Sequence, residues 1–174
     1  MFRIYKYTTS QDGQLSDSMR ERALQILPEG RKNHIADFKS SSDRDNALIA
    51  YLLLAYGLSS DFGIDELPDF EYLDSGKPFL PENFRHHGRQ LYCSLSHTDG
   101  ACAAVLADFP IGVDVQSVER NHHKRVLHQK IAGRLFSRPQ QDQMTESGDP
   151  DRTFTRFFAV KEAVAKMKNL SVFN

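Results

Sequence analysis

Two short stretches of this sequence combine acidic, amide and basic side chains at spacings that could perform chemistry. In residues 111–116, IGVDVQ, apolar residues alternate with polar ones, which is the pattern of a β-strand with one buried face. Asp114 and Gln116 then share the other face, where two oxygen donors can meet one hard cation such as Mg²⁺. Gly112 would allow a ligand or another backbone to approach closely. A strand edge that faces solvent gives the same pattern, so this motif alone leaves both interpretations open.

The second stretch, FFAVKEAVAK, lies within residues 152–168, whose apolar spacing predicts a helix. Phe158, Glu162 and Lys166 are four residues apart and so share one helix face. An i,i+4 surface ion pair explains the last two equally well, and such a pair contributes only a few tenths of a kcal/mol. The buried stripe predicted for the same helix consists of Phe154, Phe157, Val164 and Met167.

The other candidate residues are weak when each is considered alone. Lys77 follows a turn glycine, and Ser96 and His97 end the predicted strand LYCSLSH; each is compatible with an ordinary polar position near a turn. The histidine pairs at 86–87 and 122–123 have no third ligand at a fixed spacing, so they predict no zinc site. The basic run 120–125, RNHHKR, is typical of a solvated loop, although it could also contact an acidic partner.

The elements that must position these residues are predicted as a mixture of strands and helices, which indicates an α+β fold. Ser42 and Gly57 are expected to begin and end a long buried helix. Residues 138–152 are a loop or a marginal helix. The predicted strands are 2–7, 91–97, 101–107 and 111–115, and residues 70–80 are predicted as a strand-turn-strand unit with its turn at 74–76. A further helix is predicted to start at Ser16 and to end at Pro28 and Gly30.

Composition excludes several classes of protein. The 174 residues suit one domain or two small halves, and the formal net charge of −1 excludes the broad basic surface of a non-specific nucleic-acid binder. The two cysteines are too few for a disulfide framework, which favours a reducing compartment. The N-terminus lacks a signal-peptide pattern, and the longest apolar run, residues 47–58, is too short to span a bilayer. We therefore expect a cytoplasmic protein that uses neither nucleic acid nor membrane as a partner.

In chain order, the motifs GKP at 76–78, SLSH at 94–97, IGVDV at 111–115 and FxxKEAxxK at 158–166 resemble the 4′-phosphopantetheinyl transferases. The likeness is to the group with two pseudo-symmetric halves that activates synthetases and carrier proteins. The segment LPEGRKNHIADF and the long helix after it are similar to that group's N-terminal half. The resemblance implies two α/β halves, residues 1–110 and 111–174, that act together, with the second half incomplete.

The resemblance also implies an activity, a cofactor and partners. These enzymes transfer the phosphopantetheine arm of coenzyme A to a serine of an apo acyl carrier protein or peptidyl carrier domain, with Mg²⁺. By resemblance, Glu162 and Lys166 are the catalytic residues. The expected ligands of Mg²⁺ are Asp114, Gln116 and Glu162, and the expected coenzyme A-binding residues are Lys77, Ser96, His97 and Lys161.

Two departures from the family pattern support an alternative function. Gln116 stands where the family commonly has a glutamate, and the chain ends soon after KEAxxK, before the further strands expected there. A degenerate, catalytically weak module that binds coenzyme A or a carrier protein is therefore the alternative to an active transferase. An unrelated Mg²⁺-dependent phosphoesterase is a more distant one.

Overall fold

A computed structural model describes residues 1–72, 77–118 and 122–173, with the side chains of 122–124 left out. The strands are β1 (Phe2–Thr8), β2 (Glu71–Tyr72), β3 (Pro78–Phe79), β4 (Arg85–His86), β5 (Arg89–Gln90), β6 (Tyr92–Thr98) and β7 (Ala101–Ala107). The helices are α1 (Thr9–Asp12), α2 (Asp17–Ile26), α3 (Glu29–Ala36), α4 (Ser41–Phe62), α5 (His122–Leu135), α6 (Arg138–Glu146) and α7 (Pro150–Lys168). This mixture confirms an α+β architecture.

The main sheet is antiparallel, with strand order β1-β7-β6. The β6–β7 hairpin turns at Asp99 and Gly100, and Gly100 has a φ of 71°, a left-handed conformation that glycine adopts without steric cost. The two hairpin strands and their turn confirm the sequence prediction. The predicted turn at 74–76 lies outside the described residues.

Helix α4 covers one face of this sheet and supplies most of the core. Tyr51, Leu54 and Leu58 on α4 are fully buried, as are Ala104 and Leu106 on the central strand β7. The helix is apolar nearly all round because it is enclosed by the sheet on one side and by α2 and α3 on another. The expectation of a long, buried helix is confirmed.

The predicted ends of α4 are wrong. The helix begins after Ser40, whose Oγ accepts a hydrogen bond from Asp43 N–H at 3.4 Å, so Ser42 is not the cap. Gly57 lies inside the helix and does not end it. A Cβ at this position would lie 2.3 Å from the ring of Tyr5, so glycine is needed here for close packing. The helix ends five residues later, at Phe62, and the left-handed Gly63 follows as its C-cap.

Three helical segments were missed or only partly predicted from the sequence. Helix α3 begins directly after Pro28, so Gly30 lies inside a helix and does not end one. The Asp69 carboxylate packs where a Cβ of residue 30 would be, which explains the glycine. Helix α5 starts at His122, within the basic run predicted as a loop. The 138–152 region contains α6, whose first turn is capped by Ser137 and Gln140. These helices are short or strongly polar, so their apolar periodicity is weak.

The segment 111–115 is not a strand, so that prediction is wrong. The N–H groups of Val113 and Val115 donate to side-chain hydroxyls of β6, and a β-ladder requires pairs between backbone groups. The stripe predicted for α7 is only partly correct. Phe154 is buried against Ala132 and Phe136, whereas Val164 is 42% exposed.

Candidate functional site

Strand β6 holds the segment after β7 through a row of hydroxyl groups. Val113 N–H donates to Ser94 Oγ and Val115 N–H donates to Ser96 Oγ, both at 3.1 Å. The hydroxyls of Thr98 and Ser117 are also 3.1 Å apart. The sequence separation is the same in all three pairs, so the segment runs alongside β6 in the same direction. Serine side chains thus satisfy backbone groups that a strand partner would otherwise pair.

Gly112 allows α7 to approach this segment closely. A Cβ at this position would lie 2.0 Å from the carbonyl oxygen of Ala163 and 2.7 Å from the backbone nitrogen of Met167. Any larger residue would therefore clash with the helix backbone. The prediction that Gly112 permits a close approach is confirmed, and the backbone that approaches is α7, which carries Glu162 and Lys166.

The start of α7 is anchored by polar contacts. Asp149 caps the helix by accepting a hydrogen bond from Arg152 N–H at 3.2 Å. The Asp151 carboxylate, only 4% exposed, accepts from Arg125 Nε of α5 at 2.9 Å, and His128 Nδ1 lies 3.7 Å from its other oxygen. These contacts and the aromatic packing around Phe154 fix α7 relative to α5.

Asp114 is the centre of a hydrogen-bonded group that we call the Asp114 cluster: Asp114, Ser96, Gln116 and Lys166. The Lys166 ammonium donates to Asp114 Oδ1 at 2.6 Å, to Ser96 Oγ at 3.1 Å and to the Val113 carbonyl at 3.2 Å. Ser96 Oγ also donates to Asp114 Oδ1 at 2.9 Å, and Gln116 Nε2 donates to Oδ2 at 2.8 Å. The Asp114 side chain is only 3% exposed, so this buried carboxylate is paired through both of its oxygens.

Glu162 is the second carboxylate near this cluster. Partial burial raises the pKa of Glu162, and the negative charge of Asp114 raises it further, while the Lys166 ammonium acts in the opposite direction. A raised pKa makes a carboxylate a stronger base, which suits proton transfer. Glu162 and Lys166 share the helix face predicted from their spacing.

These two residues line a cleft of about 480 Å³ between α7 and β6. Lys77 also lines this cleft and donates to the Ile111 carbonyl at 3.4 Å. Burial lowers the pKa of Lys77. The cleft therefore offers two ammonium groups and one carboxylate in a partly dehydrated space, which is suited to an anionic ligand. Residues 169–173 also line the cleft.

His97 and Lys161 lie apart from the Asp114 cluster. Successive side chains of β6 alternate in direction, and His97 contacts the edge of Phe38, with ring centroids 5.5 Å apart. Burial lowers the pKa of His97, Asp43 acts against this shift, and Arg31 adds to it. The Lys161 ammonium lies 5.9 Å above the Phe136 ring. Of the predicted site residues, the structure thus gathers Lys77, Ser96, Asp114, Gln116, Glu162 and Lys166.

The donor types of this site fit a hard divalent cation. Asp114 and Glu162 supply carboxylates, and Gln116 can supply an amide oxygen. Among the described residues there is no group of three or more histidine, cysteine or acidic side chains that could hold a metal. Any cation would therefore rely on two carboxylates, one amide, water and the substrate itself.

Sequence reasoning missed two buried polar residues, one of which positions the site. Ser94 is 2% exposed and positions the 111–117 segment, and its place two residues before Ser96 on the same strand face was the available signal. Arg31 is 4% exposed, donates to the Ala47 carbonyl at 2.9 Å and lies over the rings of Tyr51 and Phe70. Burial lowers the pKa of Arg31. No sequence pattern distinguished this arginine from a surface one.

Comparison with known families supports the chemistry suggested by this geometry. Residues 110–174 match the family model of the 4′-phosphopantetheinyl transferase superfamily. The matched part is little more than a third of the chain and contains Asp114, Glu162 and Lys166. It indicates a transferase concerned with phosphopantetheine. Comparison with curated proteins gives no match. None of the described helices combines the length and the hydropathy needed to cross a membrane.

Proposed function

We propose that this chain transfers the 4′-phosphopantetheine arm of coenzyme A to a serine of an apo acyl carrier protein or peptidyl carrier domain, in a reaction that requires Mg²⁺. The observation that carries the proposal is the position of Glu162 beside the Asp114 cluster and at the cleft that also holds Lys77 and Lys166. Its location within the segment matched by the family model adds support. Residues 1–110 and 111–174 would act together, because the cluster draws Ser96 from one part and Lys166 from the other.

In the proposed reaction, the carrier serine oxygen attacks the phosphorus that bears the pantetheine arm. The bond between that phosphorus and the bridging oxygen breaks, and 3′,5′-ADP leaves with the electron pair. Glu162 accepts the serine proton as general base. Lys166 stabilises the charge that develops on the pyrophosphate oxygens. When bound at Asp114, Glu162 and Gln116, Mg²⁺ would supply further neutralisation of that charge.

The nucleotide end of coenzyme A would be held by Lys77, Ser96, His97 and Lys161. Lys77 is the best supported of these, because it lines the cleft and, among the described residues, its ammonium makes a long hydrogen bond of 3.4 Å to a carbonyl oxygen. Lys161 would have to leave the Phe136 ring to reach the same ligand. A matched comparison of coenzyme A with dephospho-coenzyme A identifies any contact to the 3′-phosphate. We expect Lys77→Ala to weaken the first ligand more.

The decisive experiment is incubation with apo carrier protein, coenzyme A and Mg²⁺, followed by intact mass measurement of the carrier. The expected result is the mass increase of one phosphopantetheine arm, lost in Asp114→Asn and in Glu162→Gln. Matched controls are Asp142→Asn, whose partner is the exposed Arg138, and Glu146→Gln at the end of α6. Transfer by Glu162→Gln at the wild-type rate would refute the role of Glu162 as base.

A second function is favoured by one specific observation. Both oxygens of Asp114 are engaged by side chains of the chain itself, and Gln116 contributes no charge. A module that binds coenzyme A or a carrier protein with little catalysis would have such a site. Calorimetric binding of coenzyme A without any mass change of the carrier would select this alternative over the transferase.

A further inference from the structure

The Lys166 ammonium makes three contacts at the site expected to bind a cation. It donates to Asp114 Oδ1, Ser96 Oγ and the Val113 carbonyl, the shortest of these distances being 2.6 Å. All three acceptors are oxygen atoms, the ligand type that divalent cations such as Mg²⁺ also prefer. A positive charge belonging to the chain is therefore already present at the carboxylate.

We propose that Lys166 takes the place of the divalent cation at Asp114 when no ligand is bound, and that the cation binds only by displacing it. This inference rests on the proposed function for the identity of the cation. Asp114 is 3% exposed and its second oxygen accepts from Gln116, so this buried carboxylate leaves little room for an additional ion beside the ammonium. Two positive charges competing for one buried carboxylate repel each other.

The cleft beside Asp114 can accept the displaced Lys166 ammonium. Lys166 already borders the cleft, and its side chain is 29% exposed. An anionic ligand in the cleft would draw Lys166 away from Asp114 and so open the carboxylate to the cation. Cation and anionic ligand should therefore bind with positive cooperativity, since each favours the same position of one lysine.

Mn²⁺ alone, followed by electron paramagnetic resonance, tests the competition without any assay of transfer. Lys166→Met keeps most of the apolar side chain but removes the ammonium, and Lys168→Met removes the same charge from an exposed position of α7. We expect Lys166→Met to bind Mn²⁺ about tenfold or more tighter than wild type, because a charge-assisted hydrogen bond is lost. Lys168→Met should change the affinity little. Unchanged or weaker binding by a folded Lys166→Met chain would overturn the proposal, as would an equal gain in both variants.

Amine labelling read by mass spectrometry gives a second measurement on the wild-type chain. The Lys166 amine should react slowly alone and faster when Mg²⁺ and inorganic pyrophosphate are added together, while Lys168 labelling stays constant. Labelling of Lys166 that is independent of both additions would contradict the inference. Failure of the proposed function gives a different result. In that case the wild-type chain adds no mass to the carrier, although Lys166→Met still binds Mn²⁺ more tightly than wild type.

Discussion

The sheet with α4 and the C-terminal helices are held in place by different forces. The first region buries large apolar side chains such as Tyr51, Leu54 and Leu106 in one continuous core. The second has a small aromatic cluster around Phe154 and meets the first region through hydroxyls, backbone groups and the Asp114–Lys166 ion pair. Apolar burial is non-directional, whereas hydrogen bonds specify distance and angle. The junction can therefore position chemical groups accurately while the core supplies the stability.

The largest effect should follow from a cavity in the first region. Leu54 of α4 is fully buried in the core that the helix shares with the sheet. Leu54→Ala should therefore lower the free energy of unfolding by about 2–5 kcal/mol. Val164→Ala on α7, where 42% of the residue is exposed, is the matched control and should change stability by less than about 0.5 kcal/mol. Urea denaturation measures both. Similar losses would mean that the two regions do not differ in the way described.

The next effect concerns the approach of α7 to the 111–117 segment. Gly112→Ala places a Cβ 2.0 Å from the Ala163 carbonyl oxygen, and we expect a loss of about 1–3 kcal/mol. Gly133→Ala is the control: it lies in α5 with nothing within 4 Å of its Cβ, so alanine should stabilise the helix by up to about 1 kcal/mol. Thermal unfolding distinguishes the two signs. A Gly112→Ala chain as stable as wild type would exclude the close contact.

Removing one hydroxyl of β6 should have an effect no larger than that of Gly112→Ala. Ser96→Ala leaves Val115 N–H without its acceptor and takes one donor from Asp114, so the expected loss is about 1–3 kcal/mol. Ser94→Ala removes only the acceptor of Val113 N–H and should cost less. The same denaturation experiment gives both values. If Ser94→Ala were the more damaging variant, the Asp114 cluster would not depend on Ser96.

The smallest effect should appear as a change in pH dependence. Burial lowers the pKa of His97, so between this lowered pKa and its ordinary value near 6.5 the unfolded chain binds more protons than the folded one. Stability should therefore decrease as the pH falls through that window. His97→Gln should reduce this decrease at pH values below the ordinary pKa of histidine, as measured by unfolding at each pH. An identical pH profile in the variant would show that His97 is not held neutral by burial.

The sequence determined the local elements with strong periodicity and clear turn residues. Strands β6 and β7 with their Asp99-Gly100 turn, the long α4 and the helix of Glu162 and Lys166 were all predicted from the pattern of side chains. These features depend on neighbours within a few residues, which the sequence displays directly. The spacing of Glu162 and Lys166 correctly placed both on one face, which lines the cleft.

The tertiary structure alone decided how these elements meet. Residues 111–115 alternate like a strand, yet their N–H groups bond to serine side chains of β6, a partner that local pattern cannot reveal. The sequence predicted a helix end at Gly57, because the neighbouring residues do not reveal that the ring of Tyr5, 52 residues earlier in the chain, packs against this glycine. The ion pair between Asp114 and Lys166 likewise joins residues 52 positions apart. Contacts between residues so far apart in sequence depend on how whole helices and strands pack together. That packing is set by many weak preferences along the entire chain, which no single stretch of sequence contains.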